Sequence, residues 1–265
     1  MIVIAERING TRKRIQKAIL ERDRAHLQEE ATAQAEAGAD CIDVNAGTTP
    51  DREPEDLVWL VKTVQEAVDL PCALDTPNPE AMAAGLAAHR GQAMVNSITG
   101  ERSRLEGILP LVVKHKARVI ALALDDSGMP ATCEQRCAIA AAIAAEVTGR
   151  GISIGDLFLD PLVRPVSSEP EQLAAVLEAT AAIKAAHPGI RISYGLSNIS
   201  FGLPNRHLLN RAFLPMAMAR GLDAALIDPL DRRLMAILRA SRALLGQDEY
   251  CMDYITAHRA GRLSE

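Results

Sequence analysis

A short apolar run that ends in a polar residue, followed by an amphipathic helical stretch, recurs eight times along the 265 residues. No other feature restricts the possible fold so tightly. The runs fall at 2–5, 40–44, 72–74, 93–95, 119–124, 157–159, 192–196 and 224–227. The helical stretches fall at about 13–37, 54–68, 79–88, 103–114, 133–148, 171–186, 207–219 and 232–244. The runs are apolar throughout rather than alternating, as expected of parallel strands covered on both faces. Prolines mark several helix starts, at Pro54, Pro79 and Pro170, where a missing N–H costs nothing. Gly38, Gly149 and Gly221 sit just past helix ends, where a left-handed residue closes the last turn. Eight strand–helix units of this size predict a single (β/α)8 TIM barrel. One domain then spans 1–265, with a helical tail from about 246. A doubly wound open sheet is the competing fold, and the absence of G-x-G-x-x-G after the first run weakens its dinucleotide-binding version.

In a closed barrel the C-terminal strand ends converge on one rim. The residues there are Glu6, Asn9, Asp43, Asn45, Asp75, Asn96, Asp125, Asp160, Ser197, Asn198 and Asp228. Acids and amides recur at these ends and lysine does not: all six lysines fall in or beside helical stretches, against a Schiff-base enzyme. No glycine-rich phosphate loop follows the seventh or eighth run, so a sugar phosphate is not indicated. Single acids at strand ends also serve as helix caps, a reading that fits Asp125 and Asp228, and either Asp75 or Thr76. Asp160 stands directly before Pro161 and far from the next helix, which favours a functional role. Aspartates can face the N–C–N donor edge of a planar heterocycle with two charge-assisted bonds. An asparagine satisfies a carbonyl and an adjacent N–H. Magnesium on Asp75, Asp125 and Asp160 would use the same acids. No H-E-x-x-H or H-x-H occurs, so no catalytic zinc is expected.

Composition narrows the class further. The net charge is −5, with 29 basic and 34 acidic residues interspersed and only 3% aromatics. No basic stripe or stacking platform for nucleic acid emerges. Apolar stretches reach only about 7 to 10 residues, short of the roughly 20 that span lipid. The first residues lack the basic start of a signal peptide. Five cysteines, an odd number in a long chain, suit free thiols in a reducing cytoplasm.

Eight segments then carry a resemblance: ERIN at 6–9, GADCIDVNAG at 38–47, LDTPN at 74–78, VNSITGE at 95–101, LFLDPL at 157–162, GLSNISFGLPNR at 195–206, LNRAFLPMAM at 209–218 and LDAALIDP at 222–229. In this order they resemble, along nearly the whole chain, the methyltetrahydrofolate:corrinoid protein methyltransferases. That family's pterin-binding barrel is similar to the folate domain of cobalamin-dependent methionine synthase and to dihydropteroate synthase. The resemblance implies that Asp75, Asn96 and Asp160 bind the pterin ring. It implies that Asn198 reaches N5 as both a binding and a catalytic group. Asp43 would organise a proton-supplying water, with Glu6, Asn9, Asn45 and Ser197 in support. Two departures stand out. Ala5 precedes Glu6 where the family often has glycine, and Phe201-Gly202-Leu203-Pro204 replaces a polar, glutamine-rich segment of the acetogen enzyme. The second bears on which corrinoid partner is used, not on the pterin chemistry.

The implied reaction passes the N5 methyl of 5-methyltetrahydrofolate to the cob(I)alamin of a separate corrinoid protein, reversibly in a demethylation pathway. No D-x-H-x-x-G cobalamin motif occurs in the chain, so the corrinoid arrives on a partner. No protein-bound metal is implied. The family usually forms homodimers, for which segments 215–219 and 250–254 offer apolar surface. A cytoplasmic location goes with the free thiols. Two alternatives stay open: a non-catalytic folate-binding accessory protein, and another pterin enzyme such as dihydropteroate synthase. The lysine-free rim disfavours the latter.

Overall fold

The computed structural model describes residues 1–263. Eight parallel strands close into a barrel in sequence order: β1 (Ile2–Asn9), β2 (Cys41–Asn45), β3 (Cys72–Asp75), β4 (Met94–Thr99), β5 (Arg118–Leu122), β6 (Leu157–Asp160), β7 (Arg191–Gly195) and β8 (Ala224–Ile227), with β8 pairing back to β1. Around them run α1 (Lys13–Leu20), α2 (Arg24–Glu36), α3 (Glu53–Ala67), α4 (Pro79–Ala88), α5 (Arg102–His115), α6 (Cys133–Gly149), α7 (Gln172–Ala186), α8 (Arg206–Met218), α9 (Arg232–Leu244) and α10 (Met252–Arg259). The expected TIM barrel is the observed architecture.

Strand alternation sorts the side chains into two cores and a site. Val3, Ala5, Ile42, Val44 and Leu74 face outward and pack with helix residues such as Leu57, Leu60, Val61 and Val64 in one continuous cluster. A separate cluster of Ile4, Cys41, Ala73, Met94, Ile120, Phe158 and Ala224 fills the barrel interior. Two residues further along the same faces stand Glu6, Asp43, Asp75, Asn96, Leu122, Asp160 and Leu226. The third interior layer is therefore mostly polar, and it lies at the C-terminal mouth. The apolar layers beneath it close the barrel floor, so this polar layer opens only outward.

Several local expectations are corrected. The single helix expected over 13–37 is broken: Arg22 adopts φ +56°, and Asp23 caps α2 by accepting from the His26 N–H at 3.1 Å. An Asp with open backbone geometry starts a new helix more favourably than it continues an old one. Strand β1 reaches Asn9, and its register with β2 shifts between Ala5 and Ile8, so Glu6 and Asn9 belong to the strand. Neither Asp125 nor Asp228 caps a helix. Asp125 accepts from the Ser127 N–H and hydroxyl, while Thr132 caps α6 in a reciprocal box with Gln135. Asp228 accepts from the Leu230 N–H and from Arg7, and Asp231 caps α9. For α4 the cap is Asn78, not Asp75 or Thr76. The tail beyond α9 holds a short 3-10 turn (Glu249–Cys251) and α10. Positions 264 and 265 of the expected 1–265 domain lie outside the described residues.

Candidate active site

The polar layer is knitted across strands. Asn45, at the end of β2, donates Nδ2 to the Asp75 carbonyl at 3.0 Å and to Asp75 Oδ2 at 3.1 Å. Asn96 on β4 donates Nδ2 to Asp43 Oδ1 at 2.9 Å. Asp160 closes β6, and its two oxygens accept from the Leu162 N–H at 2.8 Å and the Gly195 N–H at 3.2 Å. Each of these acids is thus held by amides alone, which leaves further acceptor capacity on its oxygens. Asn45 Oδ1 is buried and has no hydrogen-bond partner among the described residues. Asn198 sits in the 3-10 turn (Leu196–Ser200) that follows β7. A Cβ on Gly195 would lie 2.9 Å from Asn198 Nδ2, so a larger residue there would displace the amide. The peptide between Asn96 and Ser97 is cis.

Above this layer opens a cavity of about 570 Å³, within the range of small-molecule sites. Its wall includes Glu6, Asn9, Asp43, Asp75, Ser197 and Asn198. Asn45, Asn96 and Asp160 are not part of that wall. They reach it through their bonds to Asp75, Asp43 and Gly195 respectively. Asp125 is absent from the wall, which separates it from Asp75 as a shared metal ligand. Among the described residues no group of three or more His, Cys, Asp or Glu is disposed to hold a metal ion.

Burial dominates the electrostatics. Asp43, 2% exposed, is pushed well above the ordinary carboxylate range by burial and by Asp75, with the Asn96 amide pulling the other way. Burial raises Asp75 as well, opposed by the Asn45 amide. It raises Glu6, opposed chiefly by the Arg12 charge. Asp160 is pushed up to about 6 by burial, the two backbone N–H groups holding it down. Two neighbouring carboxyls that both resist ionisation share protons readily. Burial thus disfavours a fixed block of negative charge at the mouth.

A family model described as "pterin binding enzyme" matches residues 5–228. The chain belongs to the pterin-binding enzymes. Methylcorrinoid:tetrahydrofolate methyltransferase of Eubacterium limosum is 37% identical over 265 residues, which covers 99% of this chain and 98% of that protein. Methionine synthase of Mycobacterium tuberculosis is 29% identical over 86% of this chain, an alignment that occupies 20% of the synthase. Dihydropteroate synthase structures show the same fold. That of Xanthomonas albilineans with 4-aminobenzoic acid matches with a TM-score of 0.67 at 19% identity, over 94% of this chain and 92% of its own. A sulfonamide complex of the Yersinia pestis enzyme matches with a TM-score of 0.68 at 14% identity, over 92% and 94% respectively.

This pterin-binding enzyme also lines its cavity with residues that strand-end reasoning passed over: Arg12, Arg206, His207, Asn210 and Asp231. Arg206 donates to the Ser197 carbonyl at 2.6 Å and to Ser200 Oγ at 3.1 Å, and Ser200 donates to Asn210 Oδ1 at 2.7 Å. Together they brace the turn that carries Asn198. The one sequence signal was the tight spacing of Arg206 after the 195–200 segment, within a motif whose role was read only at its asparagine. Asp231 binds Arg211 and His207, closing the outer wall.

Proposed function

We propose that this chain carries a methyl group between N5 of tetrahydrofolate and the corrinoid of a separate protein. The Eubacterium relative is named for the direction from methylcorrinoid to tetrahydrofolate; the same transition state serves both directions. One observation carries the reading. The Asn198 side chain stands at the cavity wall with no hydrogen bond to any described residue, opposite a layer of acids and amides suited to a pterin's amino, N–H and carbonyl edge. The 37% identity over nearly the whole chain to a methylcorrinoid:tetrahydrofolate methyltransferase, against 14% to 19% for the dihydropteroate synthase structures, favours methyl transfer over the synthase reaction.

In this reading Asp75, Asn96 and Asp160 hold the ring and set the methyl direction. A tertiary amine leaves poorly unless N5 gains a hydrogen bond or proton. The Asn198 amide donates to the lone pair that develops on N5, and its carbonyl accepts from a protonated N5. Such a contact strengthens as the N–CH3 bond breaks, so it lowers the barrier more than the ground state. Asp43 organises the water that supplies or takes the proton, while Glu6, Asn9, Asn45 and Ser197 fix the surrounding groups. The corrinoid, bound to its own protein, supplies the cobalt that gives or accepts the methyl. No covalent intermediate with this chain is needed.

The test is a single turnover at saturating 5-methyltetrahydrofolate, followed by loss of the cob(I)alamin spectrum. Asn198→Ala should slow the step by about 10- to 1000-fold, with a smaller loss of folate affinity. A saturated, folded variant that reacts at the parent rate removes Asn198 from the transition state. A homodimer and a cytoplasmic location complete the proposal. Exposed Tyr250, Met252, Tyr254 and Ile255 support the first. The free cysteines support the second, as does the absence, among the described residues, of a helix long and apolar enough to cross a membrane.

A further inference from the structure

Arg136 on α6 is a fully buried side chain and the largest of them. Among the described residues no carboxylate pairs with it. Its donors all go to neutral oxygens. Nε bonds the Pro161 carbonyl at 2.8 Å, Nη1 the carbonyls of Ala131 at 2.9 Å and Thr132 at 3.2 Å, and Nη2 bonds Gln172 Oε1. A buried cation without a counter-ion is costly, so its retention calls for a purpose.

The Pro161 carbonyl is one half of a peptide group whose other half is the Leu162 N–H. That N–H is the 2.8 Å donor to Asp160 Oδ1. Leu162 itself adopts φ +66°, a conformation that a bulky residue adopts only when held. We propose that Arg136 is a positioning residue for Asp160: by clamping the Pro161 carbonyl it fixes the plane of this peptide and keeps its N–H aimed at the carboxylate. The role in ligand binding rests on the reading of Asp160 as the acceptor for the pterin edge; the clamp itself does not. A carboxylate that loses one of two backbone donors ionises less readily.

The titratable and charged groups near this relay are few. Tyr194 on β7 lies within reach of the Asp160 charge. Its hydroxyl pairs with Thr180, and burial pushes its ionisation upward, so it stays neutral. Leu122 on β5 stands in register with Asp160, and the Gly195 N–H donates to it. Arg136 is faced by Arg164, Cys133, Glu169 and Tyr194. Burial pushes Asp160 up to about 6 and raises Asp43, Asp75 and Glu6 in the same layer as well, so the Asp160 signal is identified by substitution.

The experiment is a carboxyl 13C NMR titration of the full chain labelled at aspartate, without folate, with the Asp160 signal assigned from Asp160→Asn. In Arg136→Gln the Asp160 midpoint should rise by about one to two units. Arg136→Lys keeps the charge and one donor, and should show a smaller rise of about half a unit. An unchanged midpoint in folded Arg136→Gln overturns the proposal. If that variant does not fold, an unchanged midpoint in Arg136→Lys overturns it. A second arm titrates 5-methyltetrahydrofolate. Arg136→Gln should bind about 2- to 10-fold more weakly at pH 7 and match the parent at pH 9, as follows from the fraction of Asp160 ionised. A deficit that is the same at both pH values marks Arg136 as a mere tie between helices and overturns its role toward Asp160. A parent that binds no folate instead refutes the pterin reading of Asp160, and the carboxyl titration still decides the clamp.

Discussion

Asp160 shows how a binding group trades stability for function. Its folded value of about 6 lies above the ordinary 3.8, so folding protonates it between those values. The stabilising contribution is full below about pH 4 and disappears as pH rises through about 6, a loss of about 3 kcal/mol for a shift of this size. Asp160→Asn lacks the buried charge. Denaturant unfolding should therefore show the parent losing about 3 kcal/mol more than the variant between pH 4 and pH 7; parallel pH profiles would contradict this. Folate affinity should run the other way, falling as pH drops below about 6, because the ionised form accepts the pterin's N–H groups. At pH 7, isothermal titration of Asp160→Asn should show an affinity loss of about 10- to 150-fold, as expected for a hydrogen bond to a charged group. The acids of this layer were legible as strand-end residues because period-two alternation puts every second side chain on the barrel interior. Arg136 was not legible. Nothing in a helical heptad distinguishes a buried arginine that bonds a distant carbonyl from one that reaches solvent.

At the level of elements, the mouth depends on close approach of the loops after β1 and β2. The Gly10 N–H donates to the Asn45 carbonyl at 2.8 Å, and a Cβ on Gly10 would fall 2.2 Å from the Ala46 carbonyl oxygen. Gly10→Ala forces these two backbones apart and moves Asn45, which holds Asp75. It should cost about 2–3 kcal/mol of stability by denaturant unfolding and weaken folate binding, although residue 10 bears no polar side chain. A variant as stable as the parent would show that the loops yield freely. Thr132→Ala removes the cap of α6 and should cost about 1 kcal/mol, with folate affinity retained. The eight strand–helix units were readable because each strand is an apolar run and each helix carries its own start and stop residues. The break at Arg22 was not readable, since residues 13–37 keep helix-favouring composition across it. The cap at Asp23 prevails through a single side-chain bond. The residues at the start of α8 were likewise missed as cavity wall. Their position depends on the 3-10 turn after β7, which periodicity does not reveal.

For the whole molecule, the surfaces expected to pair copies of the chain divide in two. In the 215–219 segment Ala217 and Met218 are core, and Met216 is exposed. Toward the C-terminus, Tyr250 is 86% and Met252 54% exposed, beside Leu244 at 88%. This second segment is the better candidate for a dimer contact, since Tyr250, Met252, Tyr254 and Ile255 are all exposed within it. Light scattering at micromolar protein should give twice the chain mass of 28.4 kDa, and Tyr250→Asp should reduce it to the single-chain value. A parent that scatters as one chain refutes the dimer. The polar layer opens at the C-terminal mouth above an apolar interior cluster, so in the proposed reaction the methyl donor and acceptor meet at that mouth. The most direct measurement is multiple-turnover methyl transfer by the parent protein at catalytic concentration. It uses 5-methyltetrahydrofolate with reduced cobalamin, or the corrinoid protein once it is known, and the reverse mixture of methylcobalamin and tetrahydrofolate. The expected result is enzyme-dependent loss of the cob(I)alamin spectrum in the first mixture and formation of 5-methyltetrahydrofolate in the second. Tight folate binding with neither reaction above the enzyme-free blank, when the cognate corrinoid protein is supplied, would contradict it.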